Sequence, residues 1–487
     1  MALRATPEDE KVEQIDGWGK ACKNKETKRN GRFRQWWNHP EQKSGPAGID
    51  EPPIGANSPR DKMTDKDVGS LRKGEAMLEV KAERCAGIDV GKKFLAVCVM
   101  IGAADQKPVV EVRRFGTNVK DLERLRTWLQ ETGCSEAVME STGSYWKPVF
   151  NILEGSLKII LANPEQVKAL RGKKTDPNDS RWLASLLRHG LVQGSFIPPR
   201  DIRELRDLTR RRRVLLSEGT AERNRVQKVM EDANVKLGNV LSDVFGTSGQ
   251  AMLEALLENK LTPTEIAELA QSRLRPKIPQ IVETLEGHHM TSHHRLLIRQ
   301  SLDHMEYIEK MIGELDTEIA KRLQPYQKQI ELACTVPGIG RIAAASILAE
   351  TGMDMSPSGP FPDCHHLASW SAICPGNNES AGKRKSGRTR NGNRWLRATL
   401  TQTAWAGAAK KDSIFQRRYQ KLKLRRGGQR AVTAVAHAQL IALYWTLRNG
   451  MPYQEQRQQR EQDRREALVQ YHLRQLTKLG HEVQRAN

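Results

Sequence analysis

Four acids carry the chemistry this chain can be read for. Asp89 ends a short apolar run in A-G-I-D-V-G-K. Glu140 closes E-A-V-M-E and precedes S-T-G. Asp176 and Asp179 stand three residues apart in K-K-T-D-P-N-D-S. On a helix that spacing puts both carboxylates on one side, with Cβ atoms roughly 5–6 Å apart. Four such carboxylates brought together would bind hard divalent cations, which take oxygen ligands, and two ions about 4 Å apart stabilise both the attacking and the leaving oxygen of a phosphodiester. Each acid also has a plainer reading. Asp89 suits a turn, Glu140 a strand end, and D-P-x-D an N-terminal cap, with Asp176 as N-cap, Pro177 at N1 and Asp179 near the positive end of the dipole. Capping and metal binding are compatible.

The elements that must position these acids follow from periodicity. Ala86–Met100 reads as two buried strands joined by a tight turn, with Asp89 at the turn. Val109–Phe115 is a third strand and Glu136–Glu140 and Lys158–Ala162 are two more. Asn118–Glu131 carries Leu122, Leu125, Trp128 and Leu129 at helical spacing with Asn118 as N-cap. A further helix starts near Pro177 and places Leu183, Leu186 and Leu187 on one face. Antiparallel strands followed by strands alternating with helices predict an α/β domain with a mixed sheet over residues 81–197.

Residues 198–325 read as a basic helix followed by a helical, coiled-coil region. The stretch Pro198–Gly238 carries Arg210, Arg211, Arg212 and Arg213 on a Leu/Val framework. Met305, Ile308, Ile312, Leu315 and Ile319 step by 3 and 4 alternately, which predicts a helical hairpin or an intermolecular coiled coil. Residues 326–450 form a third, mainly helical region. It opens on P-G-I-G, where Gly338 and Gly340 resemble a helix-hairpin-helix turn able to hold a phosphate on backbone N–H groups. Gly376–Asn393 reads as a polar, Gly- and Arg-rich loop. Residues 1–80 read as a disordered polar extension and 451–487 as a charged helical tail. Two clusters, His288, His289, His293 and His294, and Cys364, His365, His366 and Cys374, lack zinc-finger spacing.

The chain has 487 residues and a formal net charge of +21. That field favours a polyanionic partner, with a membrane surface as the alternative reading. No apolar run is long enough for a transmembrane helix and the N-terminus lacks the apolar core of a signal peptide, so no membrane partner is expected. Seven cysteines without CxxC spacing read as reduced thiols in a cytosol rather than a disulfide framework.

The order of the acids, first strand, later strand, then D-x-x-D on a helix, resembles the ribonuclease H-like layout in its RuvC-like form. The chain is similar from about Glu83 to Tyr453 to the bacterial insertion-sequence transposases named for their Asp-Glu-Asp-Asp (DEDD) tetrad, which are bridge-RNA-guided recombinases. G-I-D-V-G-K, M-E-S-T-G-S-Y and K-T-D-P-N-D-S match the motifs carrying the tetrad, so the resemblance implies Mg²⁺ ligands at Asp89, Glu140, Asp176 and Asp179. The C-terminal segment E-S-A-G-K-R-K-S-G-R-T-R-N-G-N-R-W-L-R matches the family's serine-bearing segment and places a nucleophile on Ser380, with Ser386 as the nearby competitor. Ala381 stands where the family has glycine. Lys383, Arg384, Lys385, Arg388, Arg390, Arg394 and Arg397 then become candidates for binding the scissile phosphate. The implied activity is strand exchange between donor and target DNA through a phosphoserine link, guided by a structured RNA encoded by the element, in a homo-oligomer expected to be a tetramer. The competing readings are a hydrolytic, Holliday-junction-type nuclease using the same tetrad and a non-catalytic RNA- or DNA-binding scaffold.

Overall fold

The computed structural model describes residues 80–103, 106–140, 143–162, 167, 176–192, 194–375, 378–380, 383–386, 389–454 and 469; residues 176–178, 378–380 and 383–386 are described in backbone only. The extension up to residue 80 and the tail from 451 lie almost wholly outside these residues. The described chain forms two compact units that divide between Ile197 and Pro198.

The first unit is built on a five-stranded sheet. Its strands are β1 (Arg84–Val90), β2 (Phe94–Ile101), β3 (Val109–Gly116), β4 (Glu136–Glu140) and β5 (Lys158–Ala162), in the order β3-β2-β1-β4-β5. β1, β2 and β3 pair antiparallel, whereas β4 lies parallel to β1 and β5 parallel to β4. This is the mixed sheet the alternation predicted, and it is consistent with a ribonuclease H-like fold. Side chains alternate across the strands. Ala86, Ile88, Val90, Ala137 and Met139 face one core. That core is closed by α1 (Val119–Glu131), whose Leu122, Leu125, Trp128 and Leu129 are buried, and by α2 (Trp146–Leu153). Asn118 caps α1 by accepting a 2.9 Å bond from the Asp121 amide. Cys85, Cys98, Met100 and Val138 face the other side, where Leu183, Ala184 and Leu187 of α3 (Asp176–Arg188) cover them.

The way α3 lies on the sheet follows from one glycine. A Cβ on Gly87 would stand 2.1 Å from the Ser180 carbonyl oxygen and 2.4 Å from the Ala184 amide nitrogen, so the helix backbone rests directly on β1. Gly87→Ala is expected to destabilise this unit by about 3 kcal/mol or more, because both obstacles are backbone and neither can swing away. Thermal unfolding checks this. Ser180→Ala is the control: the Ser180 Oγ is buried without a hydrogen-bond partner among the described residues, so its removal is expected to be neutral or slightly stabilising. At the other end of α3, the buried Arg188 donates to the carbonyls of Gly102 (3.0 Å) and Ala103 (2.9 Å), tying the helix C-terminus to the end of β2.

The second unit starts with α4 (Arg200–Asp232) and α5 (Ser292–Arg322). Their contacts run in opposite directions along the chain: Glu204 meets Arg322, Arg212 meets Asp316, Glu222 meets His304 and Asp232 meets His294. The heptad seam is therefore closed within the chain as an antiparallel hairpin. Met305, Ile308 and Ile319 are buried, and Ile312 and Leu315 half-buried. Short helices between α4 and α5 pack a separate core at the hairpin's far end, around Met230, Met252, Leu253, Ile281 and Ile298.

The helices α6 (Gln327–Thr335), α7 (Arg341–Thr351), α8 (Cys364–Trp370), α9 (Arg394–Ala409), α10 (Ile414–Arg426) and α11 (Gly428–Asn449) complete this unit. Between α8 and α9 the segment expected as a plain loop holds a two-stranded antiparallel ladder, β6 (Asn378–Ser380) with β7 (Lys383–Ser386), extended by a bridge between Pro375 and Thr389. The strands carry no apolar alternation, so nothing in the side-chain pattern announces them.

Candidate active site and basic surfaces

Three observations bring the acids to one end of the sheet. First, Ile88 pairs with Met139 in parallel register, so Asp89 and Glu140 are the next step along adjacent strands. Second, alternation puts both on the face of Gly87 and Val138, the α3 face, and both are half-buried. Third, α3 runs antiparallel to β1. Cys85 Sγ lies 3.6 Å from the Ala184 carbonyl, and Gly87 sits under Ser180 and Ala184. Moving up β1 from Cys85 towards Asp89 thus moves down α3 towards its first turn, which carries Asp176 and Asp179. Asp179 is half-buried, and Asp176 is described in backbone only.

Among the described residues no three His, Cys, Asp or Glu side chains already stand close enough to hold a metal ion. The donor set nevertheless suits one: oxygen ligands from two strand ends and the first turn of a helix, as Mg²⁺ requires. Two thiols on the same sheet face are not competitors. Burial pushes Cys85 up to about 12 and Cys98 up to about 11, so both stay protonated at neutral pH and are poor ligands.

In the second unit the arginines of α4 are divided by their partners. Glu350, at the end of α7, is almost fully buried and accepts Arg210 in bidentate fashion, Nε to Oε1 at 2.7 Å and Nη2 to Oε2 at 2.8 Å. Arg206 donates to the Ala349 and Glu350 carbonyls and lies 3.4 Å from the same carboxylate. Asn393 adds a fourth donor, Nδ2 to Oε2 at 2.6 Å, while its own Oδ1 caps the first turn of α9. Arg212 is buried against Asp316, and Arg213 donates to Gln402 of α9. Arg211 is about half exposed. The basic run is thus largely a clamp joining α4 to α5, α7 and α9. A count of charges cannot separate clamping from phosphate-facing arginines. Glu350→Ala would leave two mostly buried guanidiniums without the carboxylate they share and is expected to cost about 3–5 kcal/mol, read as a lowered denaturation midpoint for the second unit.

The P-G-I-G turn also divides. Gly338 has φ +93°, and a Cβ there would meet the Gly407 amide nitrogen and the Thr403 carbonyl oxygen of α9 at 2.4 Å each. Its identity is set by packing. The buried Gln439 locks the same turn by donating to the Pro337 carbonyl at 2.8 Å. Gly340 is the N-cap of α7 and faces open space.

Ser380 pairs with Lys383 beside the turn of the β6–β7 ladder, whereas Ser386 pairs with Asn378 at its base. The side chains of Ser380, Lys383, Arg384, Lys385, Ser386 and Arg388 lie outside the described residues. The ladder's return strand is anchored by Arg397, which donates to Ala372, Thr389 and Arg390 at 2.9–3.0 Å, and by Arg390, which donates to Ser369. Arg394 stacks on Trp395 at 4.8 Å. Sequence reasoning missed Glu350 and Asn393. Of these only Asn393 carried a local signal, an Asn placed to cap the apolar helix that follows it. In the two histidine-bearing clusters, His294 contacts Asp232, and Asp363 caps α8 through the amides of His365 and His366, which hold its carboxyl down at about 2.

Among the described residues no helix is long and apolar enough to cross a membrane. No curated protein matches the chain. Residues 86–235 match the transposase family model for DEDD proteins of the IS110 type, and residues 330–420 match the model described as Transposase IS116/IS110/IS902 family. The first match spans the sheet, α3 and α4, and the second spans α7, the β6–β7 ladder and α9. The chain belongs to the IS110 family of insertion-sequence transposases.

Proposed function

We propose that this transposase joins donor and target DNA by strand exchange through a phosphoserine intermediate, using a RuvC-like carboxylate site on the first unit and Ser380 on the second. The observation that carries the reading is the seating of α3 on Gly87, which turns the D-x-x-D motif towards the strand ends bearing Asp89 and Glu140. Asp89, Glu140, Asp176 and Asp179 would hold Mg²⁺, which supplies charge stabilisation at the phosphate undergoing substitution.

In the cleavage step Ser380 Oγ attacks phosphorus. An O–P bond to serine forms, the bond to one deoxyribose oxygen breaks, and that oxygen leaves as a hydroxyl carrying a proton equivalent to the one serine loses. The reverse attack by a hydroxyl of the partner strand releases serine and rejoins DNA. Serine is a weak nucleophile at neutral pH and needs activation. Lys383, Arg384, Lys385 and Arg388, with Arg390 and Arg394, are assigned to the phosphate. Exposed Arg211 and the open Gly340 turn are assigned to nucleic-acid backbone, and the inward-facing Arg210, Arg212, Arg213 and Gly338 to holding those elements in place.

A structured RNA encoded by the element is the proposed guide, and a tetramer the proposed assembly, since two duplexes are cut and joined together. Because the heptad seam is consumed within the chain, the assembly rests on that two-duplex chemistry. Reconstitution tests the whole reading: protein, RNA recovered with it from cells, donor and target duplexes, and Mg²⁺. Recombinant joints are expected only with all components. Joints that persist after ribonuclease treatment would remove the guide, and cut but unjoined DNA would support the nuclease reading instead.

A further inference from the structure

We infer that α10 is a second DNA-docking surface, one that holds the backbone of a B-form duplex. It extends the DNA binding implied by the family to a helix outside both the carboxylate site and the serine ladder. Apart from Asp412, no Asp or Glu occurs between Glu379 and Glu455. α10 itself, I-F-Q-R-R-Y-Q-K-L-K-L-R-R, has none. Its inner stripe is narrow. Phe415 and Tyr419 are buried, with Tyr419 set edge-on to Trp405 of α9 at 5.4 Å and Phe415 stacked on Tyr453 at 6.0 Å. The remaining circumference carries exposed Arg418, Lys421, Lys423, Arg425 and Arg426.

Arg418, Lys421 and Arg425 are spaced by 3 and 4 and form one row. From Arg417 to Arg426 the helix rises about 14 Å, the axial span of about four phosphates on one DNA strand. Leu424, directly opposite the buried stripe, is 89% exposed. A lone leucine is not the continuous apolar face an interfacial membrane helix needs, which argues against a lipid surface. Between nucleic acids, the wide major groove and accessible backbone of B-DNA admit an α-helix, whereas the major groove of A-form RNA is deep and narrow.

The test uses the full chain and the triple variant Arg418→Gln, Lys421→Gln, Arg425→Gln. Binding to a fluorescent 30-base-pair duplex and to a structured RNA hairpin is titrated by anisotropy across a salt series. All three positions are exposed, so the variant is expected to unfold at the wild-type midpoint. Its slope of log affinity against log salt for duplex should fall by about 3, roughly one per cation removed, and its duplex Kd at low salt should rise at least about tenfold, with RNA affinity changed less than twofold. Unchanged duplex affinity and slope would overturn the inference, and so would a loss confined to RNA. Ser380→Ala, measured alongside, should bind duplex as wild type does, so a failure of the serine chemistry leaves this readout intact.

Discussion

Asp89→Asn is expected to leave the first unit folded and to lower strand cleavage by at least about 10³-fold, equivalent to about 4 kcal/mol of transition-state stabilisation. The position sits near the end of the central strand, with β2 on one side and β4 on the other. Asn keeps the shape and one acceptor, so the change removes charge and little else. Its neighbours on the α3 face, Glu140 and the first turn of α3, would then hold a divalent cation with one anionic ligand fewer. Two measurements separate catalysis from folding. Cleavage and joining are followed on labelled duplexes, and the Mg²⁺-dependent rise in thermal midpoint is followed without DNA, since an ion that binds only the folded state stabilises it. The variant should match wild type without Mg²⁺ and lose the Mg²⁺-dependent increment. Wild-type cleavage by Asp89→Asn would sink the carboxylate site.

Ser380→Ala is expected to abolish the covalent protein–DNA adduct and to reduce cleavage by about 10⁴-fold or more, because the covalent step loses its nucleophile. Ser386→Ala should stay within about tenfold of wild type. The ladder register supports this asymmetry: Ser380 stands beside the turn, opposite Lys383, and Ser386 at the base, opposite Asn378, so the two are at different ends of the hairpin. The adduct is read by denaturing electrophoresis of labelled DNA after trapping. Adduct retained by Ser380→Ala and lost by Ser386→Ala would move the nucleophile. Cutting by both variants, with no adduct in wild type, would establish the hydrolytic reading. Since the carboxylates and the serine belong to different compact units, mixing Asp89→Asn with Ser380→Ala protein asks whether separate protomers can supply them. Recovered joining would show that they can, and a purely hydrolytic site would recover none.

Much of the first unit was legible because its signals are local. Two apolar runs around G-K-K, Leu and Trp at helical spacing after Asn118, and D-P-x-D ahead of Leu183 each specify their element within a dozen residues, and the register and packing carry the same assignments. The hairpin of α4 and α5 was legible as a seam, though not as a contact with α4, since a heptad pattern states which face is apolar and is silent about the partner.

What the amino-acid sequence determined by itself was the inventory: a tetrad in motif order, a strongly positive chain, strands and helices of the right period, and the family they resemble. Tertiary structure decided the rest. It selected which arginines face carboxylates, because pairing with Glu350 or Asp316 depends on residues more than a hundred positions away. It gave Gly87 and Gly338 their meaning, because the absence of a side chain matters only when another backbone arrives. It formed the β6–β7 ladder from residues without apolar alternation, and it turned the first turn of α3 towards Asp89. Composition and spacing are properties of one segment. Direction, pairing and close approach are properties of two, and long-range packing supplies the second.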